Sequence, residues 1–523
     1  MNKTLLSIVL IVVVLTLGVV FSKNKNIDNP LTTTTETTRT PEASMVELKN
    51  GDTFDLTASY VTKVVRGREQ KMLAYNGTIP GPTIKVAQGA QVTINFKNNT
   101  DMPQLLHSHG VRMDAEFDGS QMVQEEMKPG ESFAYTLKFP DAGVYWYHPH
   151  VQEVYGQGLG LYGAFVVTPE KEDYFPKVNR EIPLFISDLA FENGKTTLKK
   201  GDETYTLMGH YGDIQLLNGE ENYNLKAVPG EVVRFYVINA ALARPFKFGI
   251  KDVKMKLVGG DNGAYENPTF VENVILGPSE RAIVDVYFRD EGVYEVENQT
   301  PDTTYSLGTI TVAGPRATSD YQAEFAELVP NAYTTESIDA FRGYFEKSPD
   351  KQLTLGIDMG GNMMSMSGMG HGAHMMPDGT MMGGSMMSVS PDGIEWDDTN
   401  EMMNAMTNND SITWKIIDDA TKKVNDEIHW MFEKDTPVKI RIFNDDTSMH
   451  PMQHPIHFHG QRFLVVARDG VKETNLVWKD TTLVRAGETV DILLVPSNPG
   501  MWMAHCHISE HLSNGMMFDF EVH

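Results

Sequence analysis

The chain has 523 residues, 41% hydrophobic and 22% charged, which is enough to fill the cores of two to four ordinary globular domains. Its 70 acidic residues outnumber 44 basic ones, and the formal charge of −26 disfavours nucleic acid and other polyanions as partners while concentrating cations at the surface. The single cysteine excludes an intrachain disulfide.

Met1-Asn2-Lys3 leads into an uncharged run from Leu5 to Phe21 and then into "TTTTETTRTPEA". The run is long for the core of an export signal and slightly short for a membrane span. Residues 1–22 therefore fit either a cleaved signal peptide, with Val20 and Ser22 at its cleavage site, or a retained anchor through residues 5–21. Lys3 on one side and Lys23 and Lys25 on the other leave the orientation open. Residues 23–45 read as a Thr-rich disordered tether. Either way the remainder is expected outside the cytoplasm, secreted, periplasmic or anchored to the outer face of the membrane.

From there onward the pattern is that of half-buried strands. Val92/Ile94/Phe96, Phe133/Tyr135/Leu137/Phe139, Val233/Phe235/Val237, Val438/Ile440/Ile442 and Val490/Ile492/Leu494 alternate apolar with mostly polar neighbours. One turn phrase enters several of them, "PGESFAY" from Pro129, "PGEVVRF" from Pro229 and "AGETVDI" from Ala486, which signals an internally repeated β domain. A second phrase strengthens the repeat: "GVYWYHPH" from Gly143, "GVYEVENQ" from Gly292 and "GMWMAHCH" from Gly500. In register, His148 and His150 match His505 and His507, whereas the middle copy has Glu297 and Gln299.

Further histidine pairs repeat the arrangement. "LHSHG" supplies His107 and His109, "HPIHFHG" supplies His454, His457 and His459, and "PFKFG" from Pro245 reads as the blank middle counterpart. On a strand, residues two apart point to one face, so each His-x-His offers two imidazoles to one side. Four such pairs, confined to the two ends of a repeated chain, point to a metal centre rather than to core or surface accident.

His454, Cys506 and His511 remain, with Met516 behind them. Two imidazoles, one thiolate and a distant thioether describe a blue-copper electron-transfer site. A thiol held as a copper thiolate explains a lone cysteine in an oxidising compartment. Its chain neighbours His505 and His507 belong to the other cluster, which gives an electron arriving at Cys506 a covalent route to it.

Taken together, "YNGTIPGP", "HSHG", "YWYHPH", "HPIHFHG" and "HCHISEHLSNGM" resemble the multicopper oxidases, the family of laccases, ascorbate oxidase and bacterial cuprous oxidases, over the chain from about residue 46 to the C-terminus. The resemblance implies an all-β fold of three consecutive cupredoxin-like Greek-key β-sandwich domains, placed at 46–170, 171–316 and 317–523 and preceded by the N-terminal hydrophobic helix and tether. It implies four copper ions: one type 1, one type 2 held by His107 and His457, and a type 3 pair held by His109, His148, His150, His459, His505 and His507. The implied reaction takes single electrons from a reductant at the type 1 copper and reduces dioxygen to water at the trinuclear site, with a monomer sufficient. Asp118, in "AEFDGS", sits where the family often places a carboxylate beside the cluster, and a turn aspartate before glycine is the alternative. Bacterial relatives often carry a proton-donating glutamate directly after the last type 1 histidine. Here that residue is Leu512, and Glu510 on the other side of His511 is the candidate replacement.

The reductant is read from residues 359–387, "MGGNMMSMSGMGHGAHMMPDGTMMGGSMM", whose glycines prevent regular packing. Thioethers favour Cu(I) over hard cations, so Met363, Met364, Met366, Met369, His371, His374, Met375 and Met376 are candidate sites for substrate copper, similar to the methionine-rich insertion of periplasmic cuprous oxidases. The blander reading is a surface loop of drifted composition. A Cu(I) oxidase serving copper tolerance is the favoured function. The alternatives are a laccase-like oxidase of phenols or of Fe(II) and Mn(II), and, last, a non-catalytic copper-binding protein. The other histidines, His210, His429, His450 and His523 among them, read as ordinary loop residues, with His450 near Met449 and Met452 an outside candidate for the substrate entry.

Overall fold

The computed structural model describes residues 45–359, 374–375, 381–382, 390–399 and 401–523. The run at 5–21, the Thr-rich stretch to residue 44 and, of the methionine-rich candidates, Met363, Met364, Met366, Met369, His371 and Met376 lie outside the described residues. His374–Met375 pairs as a short antiparallel ladder with Met381–Met382, of which only the backbone is described. Among the described residues no helix is long and apolar enough to cross a membrane.

Three two-sheet sandwiches follow one another along the chain. In the first, a five-stranded sheet in the order Met45–Leu48, Thr83–Ala87, Gly163–Thr168, Gly143–Pro149, Leu106–His109 shares its core with a four-stranded sheet, Arg68–Tyr75, Thr53–Val65, Gln91–Asn99, Ser132–Lys138. The second pairs a six-stranded sheet centred on Glu231–Asn239 and Arg281–Phe288 with a five-stranded one, Tyr223–Ala227, Thr304–Val312, Gly292–Gln299, Phe246–Ile250, Asn273–Leu276. In the third, the six-stranded sheet is centred on Val438–Asn444 and Thr489–Val495, and the five-stranded order is His429–Phe432, Met517–Val522, Gly500–Cys506, His454–Phe458, Thr481–Val484. This is the repeated all-β architecture that the alternating pattern and the repeat phrases predict, in the cupredoxin-like form that the family resemblance implies.

The repeat holds in strand pairing. The glycine-initiated strands Gly143–Pro149, Gly292–Gln299 and Gly500–Cys506 each pair antiparallel with the strand that carries, or in the middle sandwich lacks, the histidine pair: Leu106–His109, Phe246–Ile250 and His454–Phe458. Burial follows from how many faces are covered. Gln91–Asn99 buries every second residue, as expected of a strand with one solvent face, whereas Gly143–Pro149 is buried throughout. Tyr147 points into the first core against Tyr75 and Phe165, while Trp146 faces the other way and stacks on His148, ring centroids 4.2 Å apart. That second face is the one that carries the histidines.

Candidate metal centres

Strand alternation separates the two candidate centres. Along Gly500–Cys506, Trp502, Ala504 and Cys506 enter the apolar core of the third sandwich, and His505 takes the opposite face. In register, His107 lies opposite His148, His457 opposite His505, and Ile456 opposite Cys506. The first and third sandwiches thus present their histidine faces to each other. His109 stacks on His457 at 3.7 Å and His107 on His459 at 4.1 Å between ring centroids, so imidazoles from the two sandwiches interleave.

All eight paired histidines are buried. Most have one ring nitrogen held by the protein. The Nδ1–H of His107 donates to the Asp118 carbonyl at 2.7 Å, that of His148 to the Pro149 carbonyl at 2.9 Å and that of His457 to the Asp480 carbonyl at 2.8 Å. His109 is reversed: its Nε2 is 3.0 Å from Asp480 Oδ1 and 2.9 Å from Thr481 Oγ1. The opposite nitrogens, Nε2 of His107, His148 and His457 and Nδ1 of His109, are buried without a hydrogen-bond partner among the described residues, as are both ring nitrogens of His150 and His507. Buried nitrogens left bare are costly unless something fills the space between them. His459 and His505 make the point most directly. The Nδ1–H of His459 donates to the Asp118 carboxylate at 2.9 Å and that of His505 to the Cys506 carbonyl at 2.8 Å, so both Nε2 atoms are lone pairs facing each other at 3.0 Å. A cation between them turns that repulsion into ligation.

Burial, with neighbouring imidazoles adding to it, holds His109, His148, His150, His457, His459 and His507 well below the ordinary histidine range, and burial lowers His505 to about 4. The rings are neutral at pH 7, the form in which they ligate. Donor atoms of His107, His109 and His148, of His107, His457 and His459, and of His150, His459 and His505 each lie within 4.8 Å of one another, three overlapping groups suited to metal ions.

The second centre is smaller. Cys506 Sγ lies 3.5 Å from His454 Nδ1 and 3.7 Å from His511 Nδ1, and those nitrogens are 3.3 Å apart. His511 Nε2–H donates to the Leu207 carbonyl at 3.3 Å, which leaves Nδ1 as its donor atom. Trp414 stacks on His511 at 4.2 Å and is pinned by its indole N–H on the Thr206 carbonyl at 2.7 Å. Met516 is buried in the same core, its carbonyl accepting from Cys506 N–H at 3.1 Å. Burial raises the Cys506 thiol far above its usual range, so it becomes a thiolate only by bonding a metal. The donor set, two imidazoles and a thiolate, suits copper.

Around these centres lie groups that the sequence reading missed or misplaced. Asp118 is fully buried and touches both His107 and His459, which is more than a turn aspartate does. His210 is no ordinary loop residue: it is buried, and its Nδ1 lies 2.6 Å from Glu510 Oε1, which also accepts its backbone N–H at 3.1 Å. His450 is likewise buried, beside Trp414, and Met452 is in the core. Glu153, three residues after His150, lies 3.5 Å from that ring; burial and then the nearby Glu510 push its carboxyl up to about 8. Asp480 and Arg281 are wholly buried and ion-paired beside His109. Nothing in their spacing marks Asp480 or Arg281, because their partners are far away in the chain. The one local signal is Gly110 of "HSHG", at φ +80°, where an added Cβ would sit 2.1 Å from the Asp480 carboxylate.

Comparison with known proteins agrees with this geometry. Models of the family described as "Multicopper oxidase" match residues 57–172, 180–313 and 395–523. The chain is 26% identical over 477 residues to "Multicopper oxidase mco" of Staphylococcus aureus, covering 88% of this chain and 86% of that protein. It is 24% identical to "Laccase-3" of Arabidopsis thaliana, covering 90% and 91% respectively. Its fold matches the solved "Multicopper oxidase from Campylobacter jejuni: a metallo-oxidase" with a TM-score of 0.67 at 24% identity, covering 92% of this chain and 96% of that one.

Proposed function

Because the chain belongs to the multicopper oxidase family and is a copper-dependent oxidoreductase with oxygen as acceptor, we propose that its reductant is Cu(I) and its service copper tolerance. In this reading His454, Cys506 and His511, with Met516 as the weak fourth group, hold a type 1 copper. His107 and His457 hold type 2, and His109, His148, His150, His459, His505 and His507 hold the type 3 pair. When bound, the four coppers supply one-electron acceptance at the first centre and four-electron reduction of dioxygen at the second, so that four Cu(I) become four Cu(II) while O2 and four protons become two waters.

What carries the copper assignment is the placement of Cys506 in the apolar core between His505 and His507, which belong to the opposite face of the same strand and its continuation. An electron taken up at the sulfur has a few covalent bonds to cross to reach either imidazole. The protein's own work is to keep the imidazoles buried and aimed, and to hold protons near the oxygen-reducing centre. Asp118, on His107 and His459, and Glu510, buried between His210 and Glu153, are the carboxylates we assign to proton supply.

Cu(I) as reductant is supported by the soft thioethers of residues 359–387 and by the net charge of −26. Plant laccases among the relatives support phenols as the second reading. Location outside the cytoplasm, attachment through residues 5–21, a monomeric state, and domain limits at 46–170, 171–316 and 317–523 belong to the same proposal. Oxygen uptake by the copper-loaded protein with Cu(I), Fe(II) and a phenol side by side tests it, repeated after deletion of residues 359–387. Loss of Cu(I) turnover with phenol turnover kept or raised is expected; equal loss of both would remove the case for Cu(I).

A further inference from the structure

The copper-free middle sandwich reaches into the oxygen-reducing centre through one side chain. Arg281 is fully buried; its Nε–H donates to the Val144 carbonyl at 3.0 Å, and its backbone N–H to Asp261 at 2.8 Å. Its two terminal nitrogens fork onto Asp480, Nη1 to Oδ1 at 2.6 Å and Nη2 to Oδ2. Asp480 Oδ1 also accepts from Thr481 Oγ1 at 2.9 Å and lies 3.0 Å from His109 Nε2, while the Asp480 carbonyl orients His457.

We propose that Asp480, clamped by Arg281, is a positioning residue that makes His109 an Nδ1 donor to the trinuclear centre, unlike its Nε2-donating neighbours. The inference rests on the copper assignment above and goes beyond it. Donor atoms of His109, His457 and Asp480 lie close enough to suggest that the carboxylate itself ligates. The guanidinium rules this out, because it occupies both carboxylate oxygens and sets a permanent positive charge where a cation would have to sit. What remains for Asp480 is the proton on His109. With Thr481 donating its hydroxyl to Asp480, the threonine oxygen can only accept from His109, and so can the carboxylate; both acceptors therefore place the imidazole proton on Nε2 and leave Nδ1 bare toward the centre. Without an acceptor at 480, the Thr481 hydroxyl is free to donate to Nε2, which moves the proton to Nδ1 and blocks ligation.

Two double variants test this, each removing both charges so that no buried ion is left unpaired. Arg281→Met/Asp480→Asn keeps an acceptor oxygen for Thr481 and His109; Arg281→Met/Asp480→Leu does not. Copper per chain, the electron paramagnetic resonance signal of type 2 copper and the near-ultraviolet band of the type 3 pair are measured, with the blue absorption as a check that the third sandwich is folded. The asparagine variant is expected to keep all of these. The leucine variant is expected to keep the blue absorption while affinity for trinuclear copper drops about 10–100-fold. Unchanged trinuclear signals in the leucine variant, or equal loss in both variants, would overturn the proposal, equal loss indicating a merely structural pair. Absence of trinuclear copper from the unaltered chain would instead overturn the copper assignment on which it rests.

Discussion

Removing copper should make the protein acid-sensitive in a way that can be worked from the structure. His109, His148, His150, His454, His457, His459, His505, His507 and His511 are buried with lowered affinity for protons, His454 to about 3 and His505 to about 4, from an ordinary value of 6.5. Between pH 6.5 and pH 4 the unfolded chain therefore binds protons that the folded chain refuses, so stability rises with pH and is lost as pH falls through 6.5. Each withheld proton contributes a slope of about 1.4 kcal/mol per pH unit. Nine together give at most about 12 kcal/mol per pH unit; Glu153, protonated in the folded chain and ionised in the unfolded one, offsets about one proton's share, and the remainder is still comparable with the whole stability of about 5–15 kcal/mol typical of a domain. The copper-free chain is expected to open this region within about one pH unit below 6, whereas the loaded chain, its imidazoles occupied, resists until protons displace the metal. Urea unfolding followed by circular dichroism at half-unit pH steps, with and without copper, measures the slope. A copper-free slope of one proton or fewer between pH 6 and pH 5 would refute the argument.

Other expectations concern single side chains. Cys506→Ser should abolish the blue absorption and turnover while leaving the β circular dichroism intact; a persistent blue band would contradict the type 1 assignment. Glu510→Gln keeps an oxygen to accept from His210 but cannot give up a proton, so oxygen reduction should slow by about 100-fold or more with the rate of blue-band bleaching by Cu(I) unchanged. An unchanged steady-state rate would remove Glu510 from proton supply. Trp146→Ala, which empties a fully buried site stacked on His148, should cost about 3–5 kcal/mol in urea titrations of the copper-free chain, and a cost below about 1 kcal/mol would show the site collapses.

The sequence by itself determined which imidazoles and thiol are candidate donors, and the class of fold. Ligation needs specific side chains, and a strand brings residues two apart to one face, so "HSHG", "HPIHFHG" and "HCHISEH" spell the candidate donors locally. The glycine-initiated phrases likewise revealed the repeat, because each copy folds by the same short-range alternation. The tertiary structure alone decided, for most of the imidazoles, which nitrogen is free and what holds the other. His109 meets Asp480 across 371 residues, Arg281 meets Asp480 across 199, and His210 meets Glu510 across 300. Those contacts form only when one sandwich is pressed against another, where burial makes an ion pair or a hydrogen bond to a ring decisive, and no spacing within a strand encodes that meeting.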